Sequence, residues 1–207
     1  FMLKLDAKTG LRDYDATYPL TGSGANYTSD PYFGKKIAGG YYASGEGSYI
    51  QHIGDYYYLF MSYGGLTSDG GYEMEVFRSK NPDGPYVDPK GTSALFDRYL
   101  LNYGTNGSFR GEKILGNYES WGFMTTGKKT SFSTPGELSQ GHNSAITDAQ
   151  GRSFLIYHTR FNDGSEGHTV RVHQLFTTSN GWLAAAPFEF TGETVNDDSI
   201  ATRQRFS

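Results

Sequence analysis

From residue 48 the chain runs in short stretches of alternating apolar and polar positions, each closed by glycine, asparagine or aspartate. Ser48 to Ile53 reads as a strand, Gly54-Asp55 as a hairpin turn and Tyr56 to Tyr63 as an aromatic-rich apolar strand. After the glycine-laden loop Gly64 to Gly71 a third strand is expected over Tyr72 to Arg78, and Asn81-Pro82-Asp83-Gly84-Pro85 is a dense turn signal. The unit recurs later, with Asn143 to Thr147, the turn Asp148 to Gly151, Ser153 to His158, the loop Asn162 to Gly167, Thr169 to Thr177 and then Asn180-Gly181-Trp182. Two such meanders predict an all-β fold. Each opens with glycine beside a polar residue, so they read as blades of a β-propeller, with jelly rolls and sandwiches as the competing architectures.

Leu3 to Leu5 followed by Asp6-Ala7-Lys8-Thr9-Gly10 predict the last strands of an earlier blade, as in a processed or truncated chain. Residues 94 to 133 predict a further, less regular blade, with short strands at Lys113 to Tyr118 and Trp121 to Met124. Residues 1–207 are thus expected to be the later portion of one propeller domain. A propeller buries its core between neighbouring blades, so an apolar flank is expected, covered by the rest of the same protein or a companion chain.

Composition agrees with this pattern. The 207 residues suit a single all-β unit, and 28 glycines, 17 tyrosines and 14 phenylalanines against 19% charged residues leave little room for helix. A formal net charge of -4 supplies no basic face, which argues against a nucleic-acid partner and for a neutral, polyhydroxylated ligand. Zero cysteine excludes disulfides, thiolate nucleophiles and cysteine zinc sites. No apolar run approaches the roughly 20 residues of a membrane-spanning helix.

The residue of greatest interest is Glu46, set between two glycines at the mouth of the first meander. A carboxylate in such a place must be paired, neutralised or hydrated, so it is expected to meet a ligand, with an exposed turn residue as the competing reading. Inner strands of a propeller start near a common axis, and Gly141-His142-Asn143-Ser144 opens the second meander, so His142 is expected to share a pocket with Glu46. The other histidines have plainer readings: His52, His158 and His173 pack within strands, and His168 is solvated at a loop end. There is no Gly-x-Ser-x-Gly elbow, no phosphate loop ending in lysine and no paired-histidine zinc motif. An acid near aromatic rings in a neutral pocket suits glycosidic cleavage, in which one carboxylic acid protonates the leaving oxygen and a second carboxylate activates water. Tyr41, Tyr42, Tyr49, Tyr56, Tyr57 and Tyr58 are candidates for stacking on sugar rings, although strand alternation turns half of them into core.

Several motifs in order, Ser44-Gly45-Glu46-Gly47-Ser48-Tyr49-Ile50, Tyr58-Leu59-Phe60-Met61-Ser62-Tyr63-Gly64, Arg78 to Tyr86, Gly141-His142-Asn143-Ser144, Tyr157-His158-Thr159-Arg160 and Ala185-Ala186-Pro187-Phe188, resemble family 43 glycoside hydrolases, endo-1,5-α-L-arabinanases in particular. The resemblance runs from Met2 to Phe190. It implies a five-bladed propeller and an inverting mechanism with three carboxylates. Glu46 matches the general acid. His142 matches the axial histidine that helps hold a calcium or similar ion through a water shell. Ser62, Tyr63, Gly64 and Asn143 fall where such enzymes line the substrate cleft. The base and acid-tuning aspartates have no match, since Asp13, Asp15 and Asp30 lack their flanking residues, so this chain alone is expected to be inactive. The resemblance further implies arabinan as substrate and a secreted, periplasmic or cell-surface location. An exo-acting arabinofuranosidase or β-xylosidase on the same scaffold, and a non-catalytic carbohydrate-binding propeller, are the competing functions.

Overall fold

In a computed structural model of the chain, the residues described are 1–22, 28–39, 45–95, 110–116, 124–125, 128–129 and 136–192. They form twelve strands and no helix: β1 (Ser29–Asp30), β2 (Gly34–Lys35), β3 (Glu46–Ile53), β4 (Tyr56–Tyr63), β5 (Glu73–Ser79), β6 (Glu112–Leu115), β7 (Met124–Thr125), β8 (Lys128–Lys129), β9 (Glu137–Thr147), β10 (Ser153–Phe161), β11 (Thr169–Thr177) and β12 (Leu183–Ala185). Two four-stranded antiparallel sheets dominate, in the orders β3-β4-β5-β6 and β9-β10-β11-β12, and β1-β2 and β7-β8 are separate ribbons.

The predicted turns appear where the sequence put them. Gly54, at a left-handed φ of 58°, closes β3 onto β4. The Asp148 carboxylate accepts from Gln150 N and Arg152 N to shape the β9–β10 turn. Strand alternation then divides β4. Tyr58 and Phe60 point into a core shared with Met74, Val76, Ala145, Leu155, Tyr157, Leu175 and Leu183 of both sheets, whereas Leu59, Met61 and Tyr63 enter a second core with Phe77, Tyr86 and Ala94. Being buried on both faces explains why β4 reads as a nearly unbroken apolar run.

The sheets stack with their first strands together, β3 against β9, and their last strands together, β6 against β12. A clasp at the outer edge holds this arrangement. The Arg78 guanidinium lies between the rings of Tyr56 (4.3 Å) and Trp182 (4.2 Å) and donates to Asn180 O, while Tyr58 Oη donates to Gly181 O at 2.7 Å. The opposite end is tied through the β4–β5 loop. Ser139 Oγ donates to Thr67 O, Arg160 Nε donates to Leu66 O, and Glu166 receives both Arg160 Nη1 at 3.0 Å and Ser68 Oγ at 2.6 Å.

Three expectations need correction. The strand at Lys113, expected in a further blade over residues 94 to 133, is β6, which pairs with β5 through Met74↔Leu115, Glu75↔Lys113 and Val76↔Glu112 as the fourth strand of the first sheet. Ile114 and Leu115 pack against the inter-sheet core, and the pairing covers the otherwise open backbone edge of β5. Asn117, Tyr118 and Trp121 lie outside the described residues. At the N-terminus, Met2 and Leu5 form single bridges to Lys35 and Arg12 instead of sheet strands, because the Asp6 carboxylate turns the chain back by binding Lys8 N and Thr9 N. Finally, β9 begins at Glu137, six residues before the predicted start. Large apolar side chains are exposed on the first 35 residues (Leu5, Leu11, Tyr14, Leu20, Tyr32, Phe33) and on the second sheet (Ile146, Val170).

Candidate active site

Glu46 is the first residue of β3 and is exposed to solvent. Opposite it in register on β4 stands Ser62, and the regular pairing resumes only at Tyr49↔Phe60, so Gly47 and Ser48 bulge out of the ladder. The bulge brings β3 close to β9. A Cβ on Gly47 would lie 2.8 Å from His142 Cα, at a φ of +56° that a side chain would resist, so glycine here permits the two inner strands to touch. On the other side β9 is itself irregular: Ser139 (φ 52°) and His142 (φ 49°) are its two left-handed non-glycine residues, and pairing with β10 slips on either side of His158. Strained backbone of this kind persists only where its surroundings enforce it, and it clusters at functional sites.

Tyr72, immediately before β5, joins the two strands. Its hydroxyl donates to Glu46 Oε1 at 2.7 Å and lies 3.5 Å from His142 Nδ1. The Tyr72 side chain is 1% exposed. Burial, and then the Glu46 carboxylate, push its phenol well above the ordinary range, so it keeps its proton and acts as a permanent donor. Ser62 is fully buried and its Oγ accepts from His142 N at 2.8 Å. The rings of His158 and Tyr72 stack at 5.9 Å, and exposed His168 stacks on His158 at 4.6 Å. Burial, followed by the neighbouring His168 and His142, holds His158 below the usual imidazole range.

Among the predicted residues, then, the fold brings Glu46, Ser62 and His142 into one hydrogen-bonded cluster. Tyr63 lies on the far face of β4 in the second core. Gly64 turns the chain there, since a Cβ would fall 2.4 Å from Gly71 O. Asn143 is buried beside His142, and its amide makes no hydrogen bond among the described residues. Of the proposed sugar-stacking tyrosines, Tyr58 is sealed in the inter-sheet core with Tyr49 and Tyr56 packed against it, and Tyr57 stacks on His52 at 4.4 Å. Tyr41 and Tyr42 lie outside the described residues. The sequence reading missed Tyr72, whose signal was its place opposite the apolar face of β4 at the end of a glycine loop. It also missed Glu75, a buried acid raised to about 8 by burial and by Glu73, on the Tyr63 side of the sheet.

Gly141 supplies a direct probe of this packing. A Cβ there would lie 2.2 Å from Tyr72 Cε1 and 3.0 Å from Ser62 Oγ. The Gly141→Ala variant is therefore expected to lose about 1–3 kcal/mol in urea unfolding, the usual range for overpacking. It should also displace the Tyr72 hydroxyl from Glu46, so activity falls further than stability explains.

A solvent-facing carboxyl held on one oxygen by a buried phenol, beside an imidazole and at the meeting of two β-meanders, has the makings of a sugar-cleaving acid. The model of the glycosyl hydrolases family 43 matches residues 24–113, a span that includes Glu46. It is 42% identical to the extracellular endo-alpha-(1->5)-L-arabinanase 2 of Bacillus subtilis (strain 168), over 95% of this chain and 39% of that protein. The crystal structure of endo-1,5-alpha-L-arabinanase from Thermotoga petrophila RKU-1 superposes with a TM-score of 0.72 at 40% identity, covering 95% of this chain and 40% of that one. The extracellular exo-alpha-(1->5)-L-arabinofuranosidase of Cellvibrio japonicus (strain Ueda107) is 27% identical over 66% of this chain and 32% of its own length. This chain thus spans about two fifths of the length of the endo-acting relatives.

Proposed function

We propose that the chain is part of an extracellular arabinan-degrading hydrolase in which Glu46 is the general acid. The observation that carries this reading is the Tyr72 to Glu46 hydrogen bond beside His142: it anchors one oxygen of an exposed carboxyl at the meeting of β3 and β9 and leaves the other free to deliver a proton. The two four-stranded sheets, stacked first strand to first strand, support a reading as adjacent blades of a five-bladed propeller, of which residues 1–207 form the later portion. In an inverting reaction Glu46 gives its proton to the departing sugar oxygen while a second carboxylate takes a proton from the attacking water on the opposite face of the ring. No residue of this chain matches the base and acid-tuning aspartates of the resemblance. We assign them to a segment outside residues 1–207, without which cleavage does not proceed.

A calcium or similar ion is the group the family implies. Among the described residues no group of three or more His, Cys, Asp or Glu could hold a metal, and the resemblance gives His142 a single ligand position of an ion held mainly by water. Such an ion would supply fixed positive charge near the site. The protein's own contribution is to hold His142 at its strained turn, through Ser62, and Glu46 through Tyr72.

The test is the early product pattern from linear α-1,5-arabinan, with the complete protein. A spread of oligosaccharides from the first minutes is expected. Release of arabinose alone would favour the exo-acting reading, to which the Cellvibrio relative lends support, and binding without cleavage would leave a carbohydrate-binding module.

A further inference from the structure

Resting on the reading of Glu46 as the acid, we propose that Tyr72 is a positioning residue that fixes its rotamer and that Ser62 supports it by holding β9 in place. The support begins at the backbone of β9, where His142 N–H donates to Ser62 Oγ. Tyr72 packs beside this contact, its ring against Gly141, and its hydroxyl donates to Glu46 Oε1, which completes the support. Nothing in it is loose. Ser62 is 0% exposed, Tyr72 is wedged so closely against Gly141 that not even a methyl group fits between them, and His158 stacks on its ring.

An exposed glutamate by itself samples several side-chain rotamers, and a proton donor is useful only when its oxygen lies within hydrogen-bond reach of the leaving group. A fixed donor on Oε1 selects one of these arrangements and directs Oε2–H toward solvent and substrate. As the proton leaves Oε2 for the sugar oxygen, the carboxyl becomes a carboxylate and the bond from Tyr72 becomes charge-assisted. The contact therefore strengthens in the transition state and acts on kcat more than on KM. Ser62 is fully buried, and the part we propose for it is to hold β9 beside Tyr72.

The experiment compares Tyr72→Phe, Ser62→Ala, Glu46→Gln and the Glu46→Gln/Tyr72→Phe double variant in the complete arabinan-cleaving protein. Two substrates are used: linear arabinan, and a dinitrophenyl arabino-oligoside whose leaving group departs without a proton. Tyr72→Phe is expected to lower kcat on arabinan about 10- to 100-fold, as for loss of a hydrogen bond to a charged group. KM should stay within about twofold and the melting temperature within a few degrees. Ser62→Ala should act in the same sense, about 3- to 10-fold. Both losses should largely vanish on the dinitrophenyl substrate, and Tyr72→Phe should add nothing in the Glu46→Gln background. Equal losses on both substrates, full additivity in the double variant, or an unchanged kcat for Tyr72→Phe would each overturn the proposal. If Tyr72→Phe melts early, Ser62→Ala on the two substrates decides the question alone. An unchanged rate for Glu46→Gln itself is a different failure, because it removes the acid that Tyr72 is there to hold.

Discussion

In the complete protein, with Glu46 as the proposed acid, Glu46→Gln is expected to reduce turnover on linear arabinan by about 10²- to 10⁴-fold, the range associated with loss of a general acid. Glutamine keeps the length of the side chain and an oxygen that accepts from Tyr72, so the geometry around His142 and Ser62 survives. What disappears is the proton. An alkoxide leaving from a sugar is a poor leaving group, and the cost of expelling it unprotonated falls on the chemical step alone. Glu46 is exposed, so the substitution leaves no buried group unsatisfied and the melting temperature should be unchanged. Steady-state kinetics on polymer of defined length measures the effect, and rates within threefold of the parent protein would eliminate Glu46 as the acid.

The second large effect concerns stability. Glu75 is 5% exposed on β5, and its carboxyl is pushed up to about 8, first by burial and then by Glu73, against an ordinary value of 4.5. An unfolded chain gives up that proton near pH 4.5 and the folded one near pH 8. The stabilisation is therefore complete below pH 4.5, declines as pH rises and is gone by about pH 8. At about 1.4 kcal/mol per pH unit across that interval the loss reaches up to about 5 kcal/mol. Denaturant unfolding at several pH values, for the parent and for Glu75→Gln, isolates the contribution because all other titrating groups are shared. The difference should move in favour of the variant as pH rises from 5 to 8. A difference independent of pH would mean that Glu75 is already charged in the folded protein, with Lys113, which pairs with Glu73, drawn to it as well.

Part of this site could be read from the residues in order. The hairpins at Gly54-Asp55 and Asp148 to Gly151, and the alternation through β3, β4, β10 and β11, announce themselves because turn chemistry and strand period are local. Glu46 was legible because a lone carboxylate between glycines has no local reason to be there, and His142 because it opens the equivalent strand of the second meander. β6 was misread, since a four-residue strand carries too little pattern to announce which edge it will join. Tyr72 and Ser62 were obscured for a related reason: among seventeen tyrosines and a run of apolar positions, neither is distinguished until the strands are paired.

The sequence by itself determined an all-β chain of two antiparallel meanders, together with an order of motifs around Glu46 and His142 that resembles family 43 glycoside hydrolases. Only the tertiary structure decided that β3 and β9 lie side by side, that Gly47 lets them close, that Gly141 admits Tyr72 and Ser62 against β9, and that the buried Tyr72 hydroxyl donates to Glu46. The physical reason is range. Turns and strands follow from neighbours a few residues apart, whereas the hydrogen bonds around the acid join positions 26 residues apart across the first sheet and 80 residues apart between the two sheets.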